Sequence, residues 1–187
     1  MFDFLFNPQG RISRKGWWLA FTLPYLAATI LPPVLQGVFG ELGITALAVL
    51  FGLIGTLLGL FYLWPSVVAV PVKRFHDLGM TGFWQLGFVA AEIVLVIAFF
   101  VGVGLYAVRE GLEDEIASLG SLAPEEQGAA MVALLGPAMG HPVVLVSLVL
   151  LIVVNLVWLY FQGIKRGQVG ENVHGQDPHA SGRGFAD

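Results

Sequence analysis

The stretch FGLIGTLLGLFYLWPSVVAVPVKRFHDLGMTGFW (residues 51–84) decides the fold, because it passes from apolar sequence into a short ionisable segment. Residues 51–72 carry no charge, and an apolar run of about 18 or more residues can cross a bilayer as a helix. Four ionisable residues then follow within five positions, before the next apolar run begins. The sequence therefore predicts one spanning helix, a polar turn and a second spanning helix.

The composition of the whole chain agrees with this interpretation. Of its 187 residues, 57% are hydrophobic and 12% are charged, whereas a soluble domain carries about 25% charged residues. The absence of cysteine excludes disulfides, thiolate nucleophiles and zinc–thiolate sites. These values indicate an integral membrane protein, and we expect no nucleic-acid partner for it.

Four apolar runs have the roughly 20-residue length that a bilayer requires. They predict an all-α polytopic membrane protein, a four-transmembrane-helix bundle forming a single integral domain over residues 1–187. Pro65 predicts a kink or an extension of the second span, and Gly55 with Gly59 predicts a close helix contact. The predicted spans are 17–39, 44–70, 84–106 and 142–161.

Lysine and arginine concentrate on one side of these spans. Because positive charge favours the cytoplasmic side, we expect both termini, the loop 71–83 and the tail 165–187 to be cytoplasmic. Arg109 is the exception, on the opposite side. The cations on the predicted inner side are Arg11, Arg14, Lys15, Lys73, Arg74, Lys165, Arg166 and Arg183.

The loop of residues 107–141, on the opposite side, is acidic. Leu112, Ile116 and Leu119 fall on one helical face, and Pro124 suits the first turn of a further helix. We therefore predict two short helices lying at the membrane interface in this loop.

Three polar segments on the predicted inner side resemble a known family. They read NPQGRISRKGWW (7–18), VKRFHDLGMTGFW (72–84) and GQVGENVHGQDP (167–178). Together they are similar to bacterial inner-membrane proteins grouped as the domain of unknown function 805 family. The matching residues are Gly10, Arg11 and Arg14; Arg74, His76, Asp77, Gly79, Thr81, Gly82 and Trp84; and Gly170, Asn172, Gly175, Asp177 and Pro178.

The resemblance covers nearly the whole chain, with two departures from the family's pattern. Lys73 stands where the family has an arginine, and His174 stands where it has a tyrosine. The acidic loop resembles an insertion. The family has no established activity, so the resemblance implies a bacterial inner membrane and no mechanism.

The middle segment also has a purely structural interpretation. Gly79 can adopt the left-handed conformation that ends a helix, and Thr81 can cap the next helix. Asp77 lies within side-chain reach of Lys73 and Arg74. The segment is therefore, first of all, a connection between two helices.

A cluster of polar residues should converge where the three segments meet. It can serve as a clasp of salt bridges that pins the helix ends, or as a site that binds anionic lipid headgroups or a partner protein. The cluster comprises Arg11, Arg14, Lys73, Arg74, His76, Asp77, Asn172 and Asp177.

Metal binding and catalysis are two further interpretations of the same cluster. His76, His174 and His179 could supply metal ligands with the two aspartates, but their spacing matches no metal-binding motif. His76 could act as a general base, but adjacent helical residues point about 100° apart, so His76 and Asp77 make a poor dyad. We expect no catalytic residue, no metal and no cofactor.

Polar residues also occur inside the spans. Gln85 and Glu92 are seven residues apart, as are Asn155 and Gln162, so each pair shares one helical face. Because the third and fourth spans are antiparallel, we predict two polar rungs between them, Gln85–Gln162 and Glu92–Asn155. Glu92 should carry a proton, because burial disfavours the carboxylate. Two roles for Glu92 are open: it stabilises the contact between the two helices, or it lies on a proton or ion pathway.

The leading hypothesis is a non-enzymatic membrane module whose inner cluster binds anionic headgroups or a partner protein. The alternative is a small transporter or channel subunit that uses Glu92, which would need a homo-oligomer to enclose a path. A membrane-embedded enzyme that uses His76 and Asp77 is the third hypothesis.

Overall fold

The computed structural model describes residues 2–178, and the side chains of all of these except residues 124, 125 and 134. His179 and Arg183 of the predicted tail lie outside the described residues. The described chain is mostly helical and contains no β-strand, which confirms the all-α prediction. Its helices are α1 (Phe2–Phe6), α2 (Arg14–Glu41), α3 (Thr45–Asp77), α4 (Phe83–Glu110), α5 (Glu113–Leu119), α6 (Pro124–Ala138) and α7 (Pro142–Ile164).

Helices α2, α3, α4 and α7 are long and apolar enough to cross a membrane, by length and composition. Each overlaps one predicted span, and in α3 the helix begins one residue later than predicted, at Thr45. Helix α3 has 33 residues, which is about 50 Å of helix against roughly 30 Å of hydrocarbon. Its last two turns, from Pro71 to Asp77, therefore extend beyond its apolar segment, as the sequence suggested at Pro65. We call this end of the spans the polar end.

A π-helical turn interrupts three of these helices at the polar end: Trp17–Thr22 in α2, Pro65–Ala69 in α3 and Tyr160–Ile164 in α7. Such turns are rare inside α-helices and are frequent at functional sites. In α3 the cause is local, because Pro65 has no N–H to donate and its ring blocks the regular helical bond.

The turn between α3 and α4 has the predicted glycine. Gly79 adopts φ of 72°, and a Cβ there would overlap the side-chain amide of Gln168. The predicted cap is not formed: within residues 2–178 the Thr81 hydroxyl has no hydrogen bond, and its carbonyl accepts from the Trp84 N–H at 3.3 Å. The Trp84 N–H thus binds the backbone carbonyl of Thr81 instead of its side chain.

The described chain divides into two compact units, and the first comprises residues 2–87 and 158–178. Its core packs the N-terminal segment against α2 and α3 through Leu5, Ile12, Trp17, Phe21 and Val70. Helices α2 and α3 approach closely where Gly55 faces Pro32, since a Cβ on Gly55 would lie 3.3 Å from the proline Cβ. A Cβ on Gly59 would have no atom within 4 Å, so only Gly55 of the predicted pair makes the contact.

The second unit comprises residues 88–157. Its core contains Val103, Ala138 and Val144. Helices α4 and α7 meet at Gly102, where a Cβ would lie 2.9 Å from Cγ2 of Val144. Helices α5 and α6 are the two short helices predicted for the acidic loop.

Candidate functional site

One buried carboxylate lies at the centre of the polar end. Asp77 is 1% exposed and binds two arginines. Its Oδ1 accepts from Arg11 Nε at 3.3 Å and Nη2 at 3.1 Å, and its Oδ2 accepts from Arg74 Nη1. We call Arg11, Arg74 and Asp77, with the carbonyl groups that the arginines bind, the clasp.

The remaining donors of Arg11 bind the C-terminal tail. Its Nη1 donates to the carbonyl oxygens of Gly170 at 2.6 Å and Gly175 at 3.2 Å. Its Nη2 donates to the carbonyl of Gln168 at 2.5 Å. Since the guanidinium is planar and carries several donors in a fixed fork, one side chain joins the N-terminal segment, α3 and the tail.

Arg74 likewise binds backbone carbonyl groups, in this case at the C-terminal end of α7. Its Nε donates to the Gln162 carbonyl at 2.8 Å, and its Nη2 donates to the Lys165 carbonyl. The last carbonyls of a helix have no partner within that helix, and a cation is favourable there. Arg74 therefore caps α7 and neutralises Asp77 together with Arg11.

The tail reaches the clasp because Gly167 has no side chain. A Cβ on Gly167 would overlap the Asp77 carboxylate. The Gln168 N–H donates to the Asp77 carbonyl at 2.8 Å, and Asn172 Nδ2 donates to the His76 carbonyl at 3.0 Å. Further along, Asp177 Oδ2 accepts from the Gly170 N–H at 2.7 Å, which folds the tail back on itself.

Lys73 has a different partner from the one its spacing offered. Its Nζ donates to the carbonyls of Asp3 at 3.2 Å and Phe4 at 2.9 Å, so it caps α1 instead of pairing with Asp77. Burial lowers the pKa of Lys73, and the negative charge of Asp3 partly offsets this effect. Helix α1 was not among the predicted elements. Its sequence signal is an acidic residue in the first turn, Asp3, followed by the apolar pair Leu5 and Phe6.

Two histidines stack beside the clasp. The rings of His76 and His174 lie parallel, with centroids 3.9 Å apart and planes 4° apart. The Nδ1 of His76 lies 3.1 Å from the Gly10 carbonyl, which can only accept, so Nδ1 carries a proton. Burial lowers the pKa of His76, the neighbouring His174 lowers it further, and the bond to Gly10 partly offsets both effects.

This arrangement does not form a metal site or a catalytic dyad. Parallel stacked rings direct their nitrogen lone pairs side by side, so the two histidines do not converge on one ion. From residue 2 to residue 178, no three His, Asp or Glu side chains lie close enough to hold a metal. His76 and Asp77 bind different partners, Gly10 in one case and the two arginines in the other.

Apart from the buried Lys73, four described cations at the polar end lie outside the clasp. Arg14, Lys15 and Arg166 are exposed, and Lys165 is half-buried. Arg14 Nη1 donates to the Ile164 carbonyl at 3.1 Å, which holds the start of α2 next to the end of α7. These four residues, here called the basic rim, form no ion pair with any described acid.

Neither predicted polar rung is formed. Gln85 Nε2 donates to the Val67 carbonyl at 2.7 Å, and its Oε1 accepts from Trp158 Nε1 at 2.9 Å. Gln162 Nε2 lies 3.5 Å from the Pro71 carbonyl. Both glutamines are buried at the level of the π-helical turns, where nearby backbone carbonyls and an indole satisfy Gln85 without its predicted partner.

Glu92 and Asn155 do not bind each other either. Asn155 is exposed, and its Nδ2 donates to the Leu151 carbonyl one turn earlier at 3.0 Å, a local bond available to any helical asparagine. Glu92 is half-buried and has no hydrogen bond in the described part of the chain. Sequence spacing placed both residues on suitable faces, but within residues 88–157 α4 and α7 touch at Gly102 and Val144 instead.

Comparison with known proteins agrees with the motifs. The model of the family described as "Protein of unknown function (DUF805)" matches residues 5–176. The chain belongs to this family. The DUF805 match includes Arg11, Arg74 and Asp77, so the clasp lies wholly within the family region. No curated protein and no solved structure matches the chain.

Proposed function

We propose that this DUF805 protein is a non-enzymatic module of a bacterial inner membrane, with both termini in the cytoplasm. The clasp fixes the polar ends of the spans and the tail relative to one another. The basic rim then binds the headgroups of anionic lipids. Arg14, which the sequence already assigned to the cluster, belongs to the rim, whereas Arg11 and Arg74 are engaged within the chain.

The observation that carries this proposal is the contrast between paired and unpaired cations. Arg11 and Arg74 are 2% and 0% exposed, and both donate to Asp77 and to backbone carbonyls. Because both guanidinium groups are buried in these bonds, neither is accessible to a lipid headgroup. Three of the rim cations are exposed and Lys165 is half-buried, and none of the four pairs with an acid in the described part of the chain, which is the arrangement that attracts an anionic surface.

The expected strength follows from the charge. A lysine or arginine near an anionic bilayer contributes about 1 kcal/mol, so the four rim residues contribute roughly 4 kcal/mol. Exposed charges are screened by salt. Retention of anionic lipid should therefore weaken as the ionic strength of the buffer is raised.

The test removes the rim and leaves the clasp intact. The full chain carrying Arg14→Ala, Lys15→Ala, Lys165→Ala and Arg166→Ala is purified in mild detergent, and its co-purified phosphatidylglycerol is measured. We expect most of this lipid to be lost. Arg109→Ala, which removes an exposed arginine of the acidic loop, is the matched control and should retain it. Equal retention by the rim variant and the control would refute the proposal.

A further inference from the structure

A second feature of the polar end is a groove between α3 and the start of α4. It has a volume of about 410 Å³ and is open on one side, which falls within the size range of small-molecule sites, roughly 300–1,000 Å³. It lies within the first unit and is separate from the basic rim. Its lining includes Val68, Val72, His76, Gly82, Phe83 and His174.

The groove changes character along its length. Val68, Val72 and His76 are four residues apart, so they lie in line on one face of α3. From Val68 to His76 the helix rises about 12 Å. The groove is therefore apolar towards the membrane-spanning part of α3, and it ends on two imidazoles where α3 leaves its apolar segment.

One nitrogen of His76 faces this groove. Because Nδ1 donates to the Gly10 carbonyl, Nε2 is the atom that gains and loses a proton. A Cβ built on Gly82, in the groove wall, would lie 3.5 Å from this Nε2. Because burial lowers the pKa of His76, Nε2 gains its proton at a pH below the usual imidazole range. It then donates to an anionic oxygen, and the adjacent His174 ring can supply a second donor.

The charges around this end of the groove are few. The titratable group packed on His76 is His174, and the carboxylate of Asp77, next in sequence, is bound to the two clasp arginines. The 28-residue helix α4 begins at Phe83, and the amino end of a helix favours an anion. The polar end of the groove is thus complementary to a single phosphate.

We propose that the groove binds one phospholipid, with an acyl chain along the Val68–Val72 wall and its phosphate at His76 and His174. Free phosphate would not use the apolar wall, and an acyl chain without a phosphate would not use the imidazoles. The rim attracts many headgroups by charge, whereas the groove selects one molecule by shape and hydrogen bonding. The inference goes beyond the proposed function and does not depend on it.

The first experiment separates the two halves of the ligand. The delipidated full chain in detergent is titrated with dioleoyl phosphatidylglycerol, with dioleoylglycerol, which lacks the phosphate, and with glycerophosphoglycerol, which lacks the chains. Bound molecules are counted by native mass spectrometry. We expect one phosphatidylglycerol to bind per chain. Dioleoylglycerol and glycerophosphoglycerol should each bind about tenfold more weakly or worse, because each lacks one of the two contacts. Equal binding of phosphatidylglycerol and dioleoylglycerol would overturn the proposal.

Variants then locate the site. A Cβ on Gly82 would lie 2.8 Å from Cγ1 of Val72, so Gly82→Ala fills the groove, and we expect about tenfold weaker phosphatidylglycerol binding. Val68→Phe narrows the groove one helical turn before Val72 and leaves Gly82 unchanged. This variant replaces Gly82→Ala as the test if Gly82→Ala does not fold. His174→Phe keeps a stacked ring but removes a donor, so it should weaken phosphatidylglycerol binding and leave dioleoylglycerol binding unchanged. Wild-type binding by the variants that narrow the groove would overturn the proposal.

The rim variant distinguishes this site from the basic rim. It should keep the single phosphatidylglycerol of the groove although it loses the bulk of the co-purified anionic lipid. If the rim variant instead loses the single lipid and Gly82→Ala retains it, the groove proposal fails and the rim proposal stands. If the rim variant keeps the single lipid and Gly82→Ala loses it, the groove proposal is supported. If the rim variant also keeps as much co-purified lipid as the wild type, the rim proposal is refuted.

Discussion

The clasp and the acidic loop are both rich in charged residues, but they hold those charges differently. In the clasp, the Asp77 and Arg11 side chains are each 1% exposed and lie 3.1 Å apart. In the loop region, Arg109 and Glu110 lie 3.6 Å apart with side chains 74% and 47% exposed. The loop's order comes from apolar contacts such as those of Val103, Ala138 and Val144.

The difference shows that burial, and not the number of charges, determines what a charged cluster does. An exposed ion pair contributes about 0–1 kcal/mol to stability. Removing one partner of a buried pair costs roughly 3–5 kcal/mol, because the other charge remains buried without compensation. The clasp is thus a structural centre, whereas the charges of the loop are solvated.

The largest effect should come from removing the shared carboxylate. Asp77→Ala leaves Arg11 and Arg74 buried without their anion, and we expect it to destabilise the protein by about 3–5 kcal/mol. Thermal unfolding in detergent measures this change, and limited proteolysis should show release of the tail after Gly167. Glu110→Ala, which breaks the exposed pair, is the control and should cost about 0–1 kcal/mol. If both variants unfold at the same temperature, the distinction between the two regions is wrong.

A smaller effect on stability is expected when one methyl group is added in each of the two regions. Gly167→Ala places a Cβ against the Asp77 carboxylate, and such overpacking costs about 1–3 kcal/mol. Gly128→Ala, in α6, meets no atom within 4 Å and should stabilise its helix by about 0.5–1 kcal/mol. The two alanine variants should therefore shift the unfolding temperature in opposite directions. A shift of the same sign in both would show that the tail does not pack on Asp77.

The smallest effect is expected at Glu92. It binds neither Asn155 nor any other described side chain, so Glu92→Gln should change the free energy of unfolding by no more than about 0.5 kcal/mol. Proton flux into liposomes containing the wild type and the variant should be identical. A flux that is present in the wild type and lost in the variant would favour the transporter hypothesis over the membrane module.

Much of the fold could be predicted from the sequence because its signals are local. Uninterrupted apolar runs determine the four spanning helices, and Gly79 ends α3 where its conformational freedom was expected. The spacing placed Asp77 within reach of Arg74, and the predicted cluster contained Asp77, Arg11 and Arg74, because three polar segments at the same end of the spans leave an aspartate few other partners.

The contacts that could not be predicted depend on backbone positions that sequence spacing does not define. Lys73 binds carbonyls of α1, a helix too short to give a clear pattern. Gln85 binds the Val67 carbonyl at a π-helical turn, and no side-chain pairing rule includes such a carbonyl. The spacing of Glu92 and Asn155 determines which helical face each occupies, but it does not determine where along their length α4 and α7 touch.

The three π-helical turns set the direction in which the side chains of the polar end point. A π turn holds one more residue than an α turn, because its hydrogen bonds reach five residues back instead of four. If the same residues of Pro65–Ala69 were wound as a regular α-helix, everything after them would be rotated by about 100°. Asp77 would then turn away from its two arginines although every residue of the clasp was still present. The register of the backbone is therefore as much a part of this site as the identity of its side chains.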